Sequence, residues 1–164
     1  MEEIFKRRSI RHYLDKPVEE EKINEILKAA MASPSAKNER PWEFYVIANK
    51  EILLKLSTAT PYAHPISEAP LGIAMFTRKD TACPCFQDID CGIASENILL
   101  EATHLGLGAV MIGVAPTEER ERAVEEILQA PASLRAFALF SIGYPAYEPK
   151  PRETFEPDRI HYVK

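Results

Sequence analysis

The sequence predicts a layered domain of α/β type, with strands and helices alternating along the chain. Four short apolar runs are separated by segments with helical spacing. Pro and Gly punctuate the connections. Such interleaving is the pattern of sheet and helix layers around one core. At 164 residues and 46% apolar, the chain can bury that core as one domain, residues 1–164.

Residues 2–8 are a short helical candidate with Ile4 and Phe5 apolar. Pro17 opens a stronger one. Ile23, Ile26, Leu27 and Ala30 keep helical spacing, and Glu19, Glu20 and Glu21 stand where the helix dipole favours acids. ASPSAKNERP, 32–41, is a loop by composition, with Pro at both ends. WEFYVIA, 42–48, is aromatic and β-branched and reads as a strand. Asn49 caps a helix over NKEILLKLST. Pro61, Pro65 and Pro70 break up the next connection. LGIAMFT, 71–77, is a continuous apolar run and reads as a buried strand.

The longest helix spans 88–105. Ile89, Ile93, Leu100 and His104 lie on one side of it, and Ile98, Leu99 and Leu105 cover another. A helix apolar on most sides is expected in the middle of the fold, with His104 as a satisfied core histidine. Gly106 and Gly108 turn the chain into a third strand. Thr117 is placed to cap a helix running to about Gln129, and 135–144 is the fourth strand. The Pro-rich tail turns β-like at 160–163. Its Phe155, Ile160, Tyr162 and Val163 need a surface, and a neighbouring subunit is the expected one.

Charge and composition exclude several functions. A net charge of -5 argues against a general nucleic-acid binder. No apolar run is long enough to span a bilayer. MEEIFKRRS lacks a signal-peptide core, so a cytoplasmic protein is expected. Cys83, Cys85 and Cys91 are too few for a disulfide framework and do not match zinc-site spacing, so they read as ordinary thiols.

Four stretches are candidates for chemistry. KRRSIRHY, 6–13, concentrates Arg7, Arg8 and Arg11 around Ser9 in an acidic chain. Guanidiniums are planar forks suited to phosphate oxygens, and residues 7 and 11 would be neighbours on a helix. The competing reading is a set of cations complementing a helix C-terminus. SPSAKNERPW, 33–42, is a stiff loop that would present backbone groups and Asn38 outward, or an ordinary connection. GLGAVMIGV, 106–114, lacks the order and spacing of a dinucleotide fingerprint. Its Gly113 would admit a flat ligand close to the backbone, or is a plain strand glycine. Lys150 and Arg152 are a second basic pair, which would close over the same anion or simply solubilise the tail. No Ser-His-Asp or Cys-His set is visible, and His12, His64, His104 and His161 are scattered.

Taken together, RRSIRHY, SPSAKNERPWEF, DCGIASENILLEATHLGLGAVMIG and the closing GYP…KPR resemble, in order and separation, the nitroreductase family of FMN-dependent oxidoreductases. The resemblance covers nearly the whole chain. It implies an α+β fold: a central mixed, mostly antiparallel sheet flanked by helices, with a tail reaching the partner. It also implies a homodimer with two FMN sites at the interface. Arg7, Arg8, Ser9 and Arg11 would match contacts to the FMN phosphate, ribityl chain and pyrimidine. Pro34, Ser35, Ala36 and Asn38 would match the loop lent by the second subunit. Ile112 and Gly113 would lie beside the flavin ring near N5, and Lys150 and Arg152 at the phosphate.

NADH or NADPH would then donate hydride to N5, and a nitroaromatic, quinone or similar conjugated acceptor would take the electrons. Arg11 would stabilise the reduced flavin near N1 and O2. No protein nucleophile is implied. Another flavin reaction of dehalogenase or dehydrogenase type is the enzymatic alternative, and a non-catalytic flavin or thiol redox sensor is the other. The chain departs from the family pattern at Met111, often Trp, at Arg40, often Gln, and at Tyr62-Ala63-His64-Pro65. The connection 77–90 is short, which implies an open flavin face.

Overall fold

The computed structural model describes residues 2–150 and 152–164. Helix α1 (Glu3–Lys6) precedes α2 (Glu20–Met31), strand β1 (Trp42–Ile47), α3 (Lys50–Leu56) and α4 (Pro65–Glu68). Strand β2 (Leu71–Arg78), α5 (Gln87–His104), β3 (Gly108–Gly113), α6 (Glu118–Leu128) and β4 (Leu134–Gly143) follow. The strands form one sheet in the order β1-β2-β4-β3, and every neighbouring pair is antiparallel.

The fold is therefore α+β and not the α/β type that interleaving alone suggests. The reason is topological. β2 and β3 point the same way and α5 connects them, but β4 inserts between them, antiparallel to both. Among the described residues, the parallel pairing is an isolated bridge between Ser9 and Ala109.

Helices cover both faces of the sheet. α2 and α5 pack one face through Ile26, Ala30, Ala94 and Ile98 against Ile73, Met75, Phe140 and Ile142. Residues of α3, α4 and α6, including Leu53, Leu56, Ile66 and Val124, pack the other against Phe76 and Leu139. Strands buried on both sides cannot alternate apolar and polar residues, which is why β2 and β4 are buried almost end to end. β1, at an edge, shows exposed positions between its buried ends. Asn49 caps α3 as expected, its side chain accepting from the amides of Glu51 and Ile52. Thr117 stands at the N-cap of α6 without a side-chain cap hydrogen bond. Glu118, Glu119 and Glu121 instead place acids in that first turn.

Three expectations fail. Ile89 and Ile93 of α5 are 57% and 38% exposed, so only the face with Cys91, Ala94, Ile98 and Ala102 enters the core. His104 is likewise no core residue: its side chain is 64% exposed and its Nδ1 lies 3.2 Å from Glu3 Oε1. Nor do residues 160–163 form a strand; the tail carries a 3-10 turn at Pro157–Arg159. A strand needs a pairing edge for its amides and carbonyls, and among the described residues no strand pairs with the tail.

The segment after α1 is fastened to the sheet at successive points. The Ile10 amide donates to Ala109 O at 3.0 Å, and the Leu14 amide to Tyr144 O at 2.9 Å. The Tyr13 hydroxyl donates to Ile10 O at 2.6 Å and lies 2.8 Å from Ser141 Oγ. Burial pushes the ionisation of Tyr13 well above its usual range, so the phenol stays neutral and keeps its proton for donation. Tyr13→Phe strands the part-buried Ile10 carbonyl and is expected to cost about 1–3 kcal/mol in urea unfolding at fixed protein concentration. An unchanged midpoint would show that the phenol is not a fastening point.

Candidate functional site

The open edge of β3 organises the site. Ser9 bridges Ala109 in parallel, and Ile10, 2% exposed, sits over Gly108. A Cβ on Gly108 would stand 2.7 Å from Ile10 Cβ, so only glycine lets the two backbones approach this closely. Because Ala109 O points outward to Ile10, strand alternation turns the backbone groups of Met111 and Gly113 to the same open edge.

This seating gathers the first basic stretch. A cavity of about 450 Å³ is lined by Arg7, Arg8, Ser9 and Arg11 together with Arg152 from the tail. Arg7 and Arg11 are not helical neighbours as the spacing suggests, since α1 ends at Lys6; an extended segment brings them together. Helix-terminus charge also fails to account for them, because Arg8 and Arg11 lie beyond a four-residue helix.

Arg7 Nε lies 3.3 Å from Glu96 Oε1 but without hydrogen-bond geometry, and it is buried with no other partner. Among the described residues, Arg8, Arg11 and Arg152 enter no ion pair. Arg11 is exposed, its Nη1 3.5 Å from Ser9 O. Lys150 is exposed and does not line this cavity. Pro151 of the same basic pair lies outside the described residues.

A second cavity, about 510 Å³, adjoins through Arg11. Val110 to Gly113 of β3 form its apolar side, so Ile112 and Gly113 do meet Arg11 here. A Cβ on Gly113 would have no atom within 4 Å, so the space over this glycine is open. His12, Tyr62, His64 and Glu68 complete much of the wall. These residues went unrecognised in the sequence because His12 and Glu68 are 56 positions apart. The i,i+4 pair of His64 and Glu68, straddling the first turn of α4, was the available signal.

The loop 34–38 lies apart from both cavities in this chain. It is held rather than loose. Both carboxylate oxygens of Asp90 accept from the Ala36 amide, at 3.1 and 3.2 Å, and Ser35 Oγ accepts from the Arg40 amide at 2.9 Å. The Glu39 carboxylate accepts from the amides of Ala82 and Cys83. These anchors hold Lys37, Asn38 and Arg40 at φ of 50°, 55° and 52°, a left-handed conformation that non-glycine residues adopt at a cost. Pro34 and Asn38 are exposed.

The cysteines are unbridged. Burial, with Asp88 and Asp90 adding to it, pushes the Cys91 thiol up to about 12, while Cys85 is exposed. Among the described residues, no group of three or more His, Cys, Asp or Glu is placed to hold a metal ion, and no helix is long and apolar enough to cross a membrane.

The sequence profile of the nitroreductase family matches residues 4–78 and 61–144. The chain belongs to the nitroreductase family. A protein of Methanothermobacter thermautotrophicus with the provisional name NADH dehydrogenase/NAD(P)H nitroreductase is 45% identical over 165 residues, covering 100% of this chain and 86% of that one. A provisionally named NADH oxidase of Clostridium acetobutylicum superposes with a TM-score of 0.96 at 41% identity, over 99% of both chains. A provisionally named nitroreductase of Desulfovibrio desulfuricans, solved in complex with FMN, superposes with a TM-score of 0.85 at 30% identity. That match covers 99% of this chain and 95% of the other.

The two glycines of β3 are expected to respond differently to a methyl group. Gly108→Ala drives a Cβ into Ile10 and is expected to cost about 1–3 kcal/mol. Gly113→Ala meets nothing in the chain and is expected to stay within about 0.5 kcal/mol of the parent. Equal losses in denaturant unfolding would contradict the close approach at Gly108.

Proposed function

We propose that this nitroreductase-family chain is an FMN-dependent oxidoreductase. It passes electrons from NADH or NADPH to a nitroaromatic, quinone or similar conjugated acceptor. The observation that carries the reading is the pair of adjoining cavities with Arg11 between them. One is ringed by guanidiniums, as a phosphate dianion requires. The other is floored by an open glycine edge, as a flat ring requires. The donor set thus fits FMN at both ends, and the relatives' names and the FMN complex of one of them agree. When bound, FMN supplies the two-electron relay between nicotinamide and acceptor.

Each protein group then has a role. Arg7, Arg8, Ser9 and Arg152 hold the phosphate, and Lys150 joins them from the tail. Arg11, which lines both cavities, would meet the pyrimidine, where a fixed cation would favour the reduced anion. Ile112 and Gly113 set the ring close to the strand edge.

The working unit is a homodimer with two FMN sites at its interface. Pro34, Ser35, Ala36 and Asn38 serve the flavin of the other protomer, which accounts for a rigid, anchored loop that meets neither cavity of its own chain. Exposed apolar residues support the same assembly: Ile4 and Phe5 on α1, Ile89 and Ile93 on the adjoining α5, and Phe155, Tyr162 and Val163 in the tail.

The protein is expected to purify yellow, as a dimer that releases FMN when diluted to monomers, followed by sedimentation and flavin fluorescence. A colourless protein that takes up no added FMN would sink the reading; a dilute monomer that keeps its flavin would sink the shared site.

Arg11→Ala and Lys150→Ala are expected to differ in kind. Each removes a charge-assisted contact of about 1.5–3 kcal/mol, so FMN affinity falls tenfold or more. With FMN saturating, only Arg11→Ala is expected to lower the reduction potential and slow reduction by NAD(P)H. A parental potential in saturated Arg11→Ala would move Arg11 to the phosphate.

A further inference from the structure

Part of the wall of the larger cavity carries a side-chain cluster that FMN binding does not require. His12 Nδ1 lies 2.8 Å from Glu68 Oε2, and His64 Nδ1 lies 3.3 Å from Glu68 Oε1. One carboxylate therefore faces two imidazoles: it is hydrogen-bonded to His12 and stands at ion-pair distance from His64. All three side chains line the cavity that Gly113 and Arg11 also line. An imidazole that donates its Nδ1–H to a carboxylate has a fixed tautomer and orientation, and its Nε2 is left to carry a proton in and out. The two ring side chains are 66% and 76% exposed, so water reaches them. Glu68, at 34%, is the more enclosed member, as suits the group that faces the other two. The cluster is no metal centre, since no such ligand group stands among the described residues.

We infer that His12 and His64 form a proton-donating pair for the acceptor, with Glu68 as their positioning residue. The inference rests on the oxidoreductase reading and deepens it: the favoured acceptors carry an oxygen that must gain a proton as electrons arrive, as a quinone or nitro group does. For a quinone the balance is NAD(P)H + H⁺ + quinone giving NAD(P)⁺ + hydroquinone. NAD(P)H supplies two electrons and one hydrogen. The second hydrogen is the proton: an imidazolium N–H breaks, an O–H forms on the acceptor, and solvent returns a proton to the ring.

The groups facing the pair are few. Glu68 comes from α4, and Arg11 flanks His12 in the cavity wall. The Tyr147 ring stands 6.5 Å from that of His12. Tyr62 lines the cavity near His64, with the Arg120 guanidinium of α6 at 5.6 Å from the Tyr62 ring. Among the described residues Glu68 is the one carboxylate in the lining, and both imidazoles face it.

Two measurements on the flavin-loaded protein test the pair. In nitrogen-resolved imidazole spectra of the neutral rings, His12 is expected to carry its proton on Nδ1, and Glu68→Ala to move it toward the Nε2–H form. Nε2–H on His12 of the parent would overturn the proposal. The second measurement is reoxidation of pre-reduced, FMN-saturated protein by p-benzoquinone and by ferricyanide, which takes electrons without a proton. The ratio of quinone rate to ferricyanide rate is expected to fall about tenfold or more in the double variant His12→Gln/His64→Gln, and to recover in part with added free imidazole. A parental ratio in the loaded variant, or equal losses with both oxidants, would overturn the proton role and leave the oxidoreductase reading standing. A protein that holds no flavin would overturn both.

Discussion

The seating of Ile10 over Gly108 is the contact on which the site depends. It is a packing constraint with an electrostatic consequence. Ile10 is buried because a glycine leaves room for it, and its amide is satisfied by Ala109 O on the open edge of β3. Burying that one side chain, worth about 1.5–3 kcal/mol, fixes the neighbours on both sides of it. Ser9 and Arg11 then face solvent beside the strand, and Arg7 and Arg8 follow from the end of α1. Tyr13 closes the far end against Ser141, across the neighbouring strand. A basic segment with no regular structure of its own thus acquires a defined geometry from an apolar residue in its middle.

The elements were legible in the sequence where burial alone sets the pattern. LGIAMFT is apolar at nearly every position because helices cover both faces of β2, and a continuous run reports that directly. Asn49 announced α3 because an N-cap is a local device. What pairs with what was not legible: β4 enters between β2 and β3 from later in the chain, and no local signal records an insertion. The long helix shows the opposite limit. Its apolar residues on two sides read as complete burial, whereas the chain buries only one of those sides. An apolar residue in a sequence states that it will be covered, without saying by which chain. Of the candidate site, the arginines were visible as a local density of charge, but His12, His64 and Glu68 required the tertiary fold to meet.

The loop at 34–38 is rigid without a partner surface in its own surroundings. Consecutive left-handed residues, Lys37 and Asn38, cost roughly 1 kcal/mol or more each, and Arg40 adds a third. Surface connections rarely keep such backbone unless something fixes it. Here Asp90 at the start of α5, Ser35 and Glu39 do so through five acceptor contacts to backbone amides. The anchors make sense for a loop that must present its groups to another surface in one conformation, and the exposed apolar side of α5 begins beside it at Ile89.

The charges of the basic cavity are distinguished by their convergence: four arginines line it. Some cations elsewhere in the chain are paired close by: Lys28 with Glu25, Arg122 with Glu118, Arg135 with Asp88 and Glu121, Arg159 with Glu156. With 25 acids against 20 lysines and arginines, carboxylates are not in short supply. Yet Arg8, Arg11 and Arg152 share one cavity with no ion pair among the described residues, and Arg7 meets a single carboxylate out of hydrogen-bond geometry. Like charges at close range repel by about 1 kcal/mol per pair even in water. A chain rich in acids that leaves these cations unpaired tolerates that repulsion in its fold. A dianion converts every one of those repulsive neighbours into a donor at once, so its binding gains more than the same arginines would gain separately. On the proposed reading the folding cost and the binding gain have the same origin, and the arginines serve a ligand rather than the stability of the fold.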